Sequence, residues 1–137
     1  MTYAGDLTPQ RAWELLSTDE CTVLVDCRTE AEWMWVGVPD LNPLGKQLVT
    51  VEWNTWPDGD VNEHFVEHLK EAGVPLDATV LFICRSGVRS RSAASAAVAA
   101  GWTDSHNVTE GFEGVLDEHG HRGNNGWRAA GLPWLQS

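Results

Sequence analysis

Residues 79–90 read Thr79-Val80-Leu81-Phe82-Ile83-Cys84-Arg85-Ser86-Gly87-Val88-Arg89-Ser90, and an alanine-rich run continues to Ala100. Five apolar or β-branched residues in a row, without alternation, predict a strand buried on both faces. Gly87 permits a backbone turn that other residues resist. Arg89 to Ala100 then predicts a helix of small residues, stopped by Gly101. Strand, tight turn and packed helix in this order form the repeating unit of an α/β domain.

Working outward, Thr8-Pro9 predicts a helix start, with threonine as N-cap and proline at the first helical position. Its apolar face is Ala12, Trp13, Leu15 and Leu16, up to about Ser17. Cys21 to Cys27 predicts a strand, and Thr29 to Val36 a short helix capped by Thr29, broken by Gly37-Val38-Pro39-Asp40. Gln47 to Trp53 predicts a further strand. Asp60 to Ala72 predicts an amphipathic helix with Val61, Phe65 and Leu69 on its buried face. His106 to Thr109 predicts another strand, and Glu110 to Ser137 mostly loop, with five glycines after Gly111 and one helical turn. The alternation predicts an α/β fold with a central, mainly parallel sheet of about five strands and helices on both faces. The length of 137 residues favours one domain.

Composition narrows function. Nine Lys and Arg stand against 20 Asp and Glu, a net charge of −11. Such a surface repels nucleic acid and anionic lipid, so neither is an expected partner. No apolar stretch reaches the roughly 20 residues that span a bilayer, and the first residues lack the pattern of a secretory signal. Cys21, Cys27 and Cys84 form no disulfide framework and no Cys-x-x-Cys pair, which fits a reducing compartment and predicts a cytoplasmic protein.

Against that acidic background Arg85, Arg89 and Arg91 cluster beside one thiol. Cys84 is expected at the carboxyl end of the central strand, where open α/β sheets bind ligands. The amides of residues 85–90 and the start of the following helix can converge on an anion. Donors around a sulfur favour the thiolate, the reactive form. An exposed, reactive Cys84 is therefore expected as a nucleophile or as a carrier of negatively charged sulfur.

The segment Cys84-Arg85-Ser86-Gly87-Val88-Arg89-Ser90 closely resembles the active-site loop of rhodanese-like sulfurtransferases. Val25-Asp26-Cys27-Arg28 is similar to the family's Asp-Val-Arg at the end of a core strand. Residues 32–40 resemble its Glu-aromatic segment and following turn, and residues 107–112 its last strand and glycine turn. The resemblance spans about residues 8–134, as one rhodanese-like domain over residues 1–137. It implies thiosulfate sulfurtransferase activity, with Cys84 accepting sulfur from a small anionic donor as a persulfide and passing it to a thiol or cyanide. It further implies that the amides of Arg85, Ser86, Gly87, Val88, Arg89 and Ser90 hold the sulfur anion and that the Arg85 and Arg89 side chains attract the donor. Asp26 and Arg28 would shape the loop. No metal and no organic cofactor is implied.

Two departures stand out. The family's turn histidine is absent from Gly37-Val38-Pro39-Asp40, and its double glycine is Glu110-Gly111, which predicts a carboxylate near the anion. The rival from another class is a non-catalytic rhodanese-like binding or regulatory module. A cysteine phosphatase or arsenate reductase is less well matched. Those enzymes place arginine after Cys and five residues; here that position is Ser90, and Arg89 comes one residue early. His64-Phe65-Val66-Glu67-His68 matches an inverted zinc-protease pattern, yet the apolar stripe of that helix predicts both histidines on its solvated side. Cys27 is a candidate resolving thiol, with a structural role the alternative. Trp53 and Trp56 are candidate walls of the site, and of Trp33 and Trp35 one should be exposed.

Overall fold

A computed structural model describes residues 2–55 and 58–136. Strands β1 (Gly5–Leu7), β2 (Thr22–Asp26), β4 (Val49–Thr50), β5 (Thr79–Ile83) and β6 (Ser105–Val108) form one sheet in the order β1-β6-β5-β2-β4. Every neighbouring pair is parallel. The fold is the expected α/β sheet, with β5 at its centre. A second ribbon pairs β3 (Val38–Pro39) with β7 (Trp134–Leu135), antiparallel.

Alternation along β2 and β5 divides the core. Val25, Val80 and Phe82 face the helices α3 (Phe65–Glu71) and α4 (Val88–Ala99), where they meet Phe65, Leu69, Ala93, Ala94 and Ala97. Leu24, Leu81 and Ile83 face helix α1 (Pro9–Thr18) and the C-terminal segment, meeting Ala12, Leu16, Phe112 and Trp127. The small side chains of α4 let its backbone approach the sheet closely, which sets the helix start directly behind Cys84. Helix α2 (Glu30–Trp35), which follows β2, buries no residue fully.

The caps follow the sequence. Thr8 Oγ1 accepts from Arg11 N at 3.2 Å. Thr29 and Glu32 form a reciprocal capping box on α2. Trp35 is 75% exposed, as one of the two tryptophans of α2 had to be. The tail folds back on the domain: Trp127 is fully buried and donates from Nε1 to Pro133 O at 2.7 Å.

Three expectations are corrected. The predicted helix over 60–72 begins only at Phe65, because Asn62 Oδ1 accepts from His64 N and holds the chain in a turn. Val61 consequently leaves the core stripe, bridges to Asn54 and is 57% exposed. The strand expected over 47–53 pairs only at Val49–Thr50. Finally, strands β1, β3 and β7 are additions to the expected elements.

Candidate functional site

Cys84 follows β5 at the carboxyl edge of the sheet, flanked by the ends of β2 and β6. The chain then turns through Gly87, whose φ of 102° suits glycine, and enters α4. This turn folds over the sulfur. Gly87 N donates to Cys84 Sγ at 3.2 Å and Ser90 N donates at 3.3 Å. Ser90 Oγ lies 3.1 Å from the same sulfur. Cys84 is only 1% exposed, which corrects the expectation of an exposed thiol. The sulfur sits beneath its own loop, at the start of α4, with three polar hydrogens within reach.

A hydrogen-bonded chain continues inward from Ser90. Its hydroxyl donates to Asn107 Oδ1, and Asn107 Nδ2 donates to Asp6 Oδ1 at 3.0 Å. The Asp6 carboxylate can only accept from an amide nitrogen, which fixes the orientation of Asn107 and turns its oxygen to Ser90. The hydroxyl has one proton. While Asn107 holds that proton, the Cys84–Ser90 contact is made by the thiol donating. An ionised sulfur would be a second acceptor for the Ser90 proton, in competition with Asn107 Oδ1.

The arginines are not free cations. Arg89 binds Glu32 in a two-pronged pair, Nη1 to Oε1 at 2.7 Å and Nη2 to Oε2 at 2.9 Å. Burial opposes ionisation of Glu32, but the hydrogen bonds and charge of Arg89 prevail and hold its carboxyl below the usual range. Arg89 is raised in turn by its bonds to Glu32. The expectation that Arg89 is available to attract a donor is therefore corrected. Arg85 Nε lies 3.4 Å from Glu113 Oε2, and Arg128 Nη2 lies 3.9 Å from Glu113 Oε1.

Asp26 and Arg28 are both fully buried and form a bidentate pair, Nε to Oδ1 at 2.9 Å and Nη2 to Oδ2 at 2.7 Å. Arg28 also donates to Gly37 O at 2.6 Å and lies 4.3 Å from the ring centre of Phe112. It ties the ends of β2, the 37–40 turn and the segment after β6 into one frame beside the loop. Gly111 completes the frame. Phe112 N donates to Cys84 O at 2.8 Å and Glu113 N to Arg85 O at 3.0 Å. A Cβ on Gly111 would lie 2.5 Å from the Cys84 and Arg85 carbonyl oxygens.

The other candidates fall as follows. Ser86 is half-buried and Val88 is exposed at the start of α4. Glu110 takes a left-handed φ of 66°, and its Oε1 accepts from Gly126 N at 3.0 Å. That carboxylate braces the tail instead of facing the anion, another correction. Cys27 is fully buried and its thiol donates to Ile83 O at 3.4 Å. Burial pushes the Cys27 thiol well up, and Cys84 and Asp26 add to the effect, so it stays neutral beside the core. His68 Nδ1 is engaged by Asn62 Nδ2 at 3.0 Å. Trp53 packs edge-on against Phe65 and borders a recess along α4 lined by none of residues 84–90; Trp56 lies outside the described residues. A second recess of about 560 Å³, lined by Thr29, Glu32, Trp35, Asn54, Thr55 and Arg89, adjoins the Glu32–Arg89 pair.

Glu32, Asn107, Glu113 and Arg128 were not read as site residues. The first signal available for Glu113 was its position two residues after the glycine turn, opposite in charge to Arg85.

The profile of the STR4 middle domain family matches residues 5–137. A curated protein of Rickettsia rickettsii, named an uncharacterized RP600 homolog, is 32% identical over 124 residues, covering 90% of this chain and 91% of its own. The rhodanese-like domain-containing protein 4 of Arabidopsis thaliana chloroplasts is 25% identical over 133 residues, which are 96% of this chain and 26% of that protein. Among solved structures, the crystal structure of Rv0390 from M. tuberculosis has a TM-score of 0.91 at 54% identity, covering 99% of this chain and 100% of its own. The polysulfide-sulfur transferase of Wolinella succinogenes shares the fold, with a TM-score of 0.63 at 21% identity, covering 96% of this chain and 78% of its own. This chain belongs to the STR4 middle domain family and has the rhodanese-like fold.

Proposed function

We propose that this protein is a sulfurtransferase, acting as one rhodanese-like domain, that carries sulfane sulfur on Cys84. The observation that supports this most is the convergence of Gly87 N, Ser90 N and the Ser90 hydroxyl on Cys84 Sγ. Such a ring of donors can hold a negatively charged sulfur.

In the first half-reaction the Cys84 thiolate attacks the outer sulfur of the donor. With thiosulfate as probe, the new S–S bond forms as the old one breaks, and sulfite leaves with its electron pair. Cys84 becomes a persulfide whose terminal sulfur carries the negative charge. In the second half-reaction an acceptor thiolate or cyanide attacks that terminal sulfur, and the Cys84 thiolate is regenerated. Two half-reactions through a covalent intermediate give ping-pong kinetics. The loop amides of residues 85–90 stabilise the anion at each stage. Asp26 and Arg28 hold the loop's frame.

Incubation with thiosulfate should add about 32 Da to Cys84, the mass of one sulfur in its persulfide. Cys84→Ser should take up none. The burial of Cys84 favours a non-catalytic module as the second reading. Failure to gain sulfur from any donor would select it. Release of phosphate from an aryl phosphate would instead select the phosphatase. Among the described residues no helix is long and apolar enough to cross a membrane.

A further inference from the structure

Resting on the sulfur-transfer reading, we infer that Cys27 is a resolving thiol that displaces the sulfane sulfur from Cys84 as hydrosulfide and leaves a Cys27–Cys84 disulfide, a second activity that releases sulfide. Register brings the two thiols together. Strands β2 and β5 are parallel, and their last pair is Asp26 with Ile83. Cys27 and Cys84 are the next residues along each strand. Cys27 N donates to Ile83 O at 2.9 Å, the bond that a parallel ladder makes when residue 27 faces residue 84. Residues that face each other in this way point to the same side of the sheet. Their Cα atoms lie about 4.8 Å apart, inside the range that a disulfide bridges. The packing agrees: Val25, Cys27, Val80, Phe82 and Cys84 share one half of the core, and Leu24, Leu81 and Ile83 the other. Both thiols are buried, at 0% and 1% exposed. Cys21 lies before the opposite end of β2, about 20 Å away along the strand.

In the resting protein Cys27 is a neutral thiol that donates to Ile83 O at 3.4 Å. Burial, then Cys84 and Asp26, hold its proton on, and Arg89 opposes them. Sulfur loading supplies a base. The Cys84 persulfide carries a negative terminal sulfur, which takes the Cys27 proton. The Cys27 thiolate then attacks Cys84 Sγ. The new S–S bond forms as the persulfide bond breaks, and HS⁻ leaves with the electron pair and the proton. The two cysteines are oxidised and the sulfane sulfur is reduced, so the donor itself supplies the oxidising equivalent. An external acceptor attacks the terminal sulfur instead and leaves Cys84 free. Because Cys27 must first give up its hydrogen bond and its proton, its attack is the slower route and prevails when no acceptor thiol or cyanide is present. An external dithiol reduces the bridge and restores the pair.

With thiosulfate or methanethiosulfonate as donor and no acceptor, the unmutated protein should first gain about 32 Da, the mass of one sulfur. It should then lose that sulfur and end about 2 Da below its starting mass as the disulfide forms. About one sulfide per chain should appear over the same interval at a sulfide-selective electrode, and non-reducing peptide mapping should find Cys27 joined to Cys84. Cys27→Ala should keep the added sulfur and release no sulfide. Cys21→Ser, which removes the exposed thiol, should release sulfide as the unmutated protein does. Sulfide release from Cys27→Ala at the unmutated rate, an increment that lasts equally long in both proteins, or a bridge from Cys84 to Cys21 would overturn the inference and leave the sulfur-transfer reading standing. If Cys27→Ala does not fold, the peptide map and the mass course of the unmutated protein decide alone. No increment on Cys84 in either protein, and no sulfide, would defeat the sulfur-transfer reading itself, and with it this inference.

Discussion

Replacing either Ser90 or Asn107 should change the reactivity of Cys84, in opposite directions. The Ser90 proton is shared between two acceptors, Asn107 Oδ1 and, in the ionised state, Cys84 Sγ. A hydrogen bond to a charged group contributes about 1.5–3 kcal/mol and a neutral one about 1. Turning the hydroxyl toward the thiolate therefore gains roughly 0.5–2 kcal/mol after the bond to Asn107 is surrendered. Ser90→Ala removes that gain, so the thiolate population at fixed pH should fall by about 2- to 30-fold. Asn107→Leu removes the competing acceptor at nearly constant volume, and the proton becomes free for sulfur. The expected result is about a 5-fold larger thiolate population, equivalent to one neutral hydrogen bond no longer opposing ionisation. The assay is the rate of iodoacetamide addition at neutral pH, read from the peptide that carries Cys84, since Cys21 is exposed and will also react. Urea unfolding of each variant confirms that the compared proteins are folded. If both substitutions move the rate the same way, the shared-proton argument is wrong.

Asp26→Asn should destabilise the protein by about 3–5 kcal/mol, because it leaves the buried Arg28 guanidinium without its counter-charge; chemical denaturation measures this. Gly111→Ala should disorder the loop as well as lower stability, since its Cβ meets the Cys84 and Arg85 carbonyls at 2.5 Å, and Cys84 alkylation should become faster as the loop opens. The Glu32–Arg89 pair predicts an acid dependence. Glu32 titrates lower in the folded state than in the unfolded chain, so its contribution is complete above the ordinary carboxylate range, near about pH 4.3, and is lost as pH falls through the lowered folded value. The stability difference between the unmutated protein and Glu32→Gln should accordingly shrink below that range, with the urea midpoint as the readout.

The sequence carried the architecture where local pattern and long-range packing agree. The runs at 22–26 and 79–83 are apolar on both faces, so they are strands wherever they sit in the sheet. Thr8, Thr29 and Gly87 announce their helices by local chemistry alone. The two-residue strands β3 and β7 have no periodicity to detect; they exist because residues nearly a hundred positions apart meet. Strand β1 is Gly5-Asp6-Leu7, too short to carry a pattern and placed by its pairing with β6. Val61 fits a helical stripe in the sequence, but the turn held by Asn62 delays the helix to Phe65 and leaves Val61 outside it.

The site divides the same way. The Cys84 loop is contiguous and was legible, as were Asp26 and Arg28. Its electrostatics were not, because each arginine meets a carboxylate from elsewhere in the chain: Arg89 meets Glu32 from 57 residues away, and Arg85 meets Glu113. Composition counted the cations correctly but could not pair them. Glu110 was the visible acidic residue in the glycine turn, yet its side chain turns to Gly126.

Intact-protein mass spectrometry after exposure to thiosulfate or methanethiosulfonate bears most directly on the account. An increment of about 32 Da, localised to Cys84, released by cyanide with formation of thiocyanate, and absent from Cys84→Ser, is the predicted result. No increment from either donor, or an increment that persists in Cys84→Ser, would contradict it.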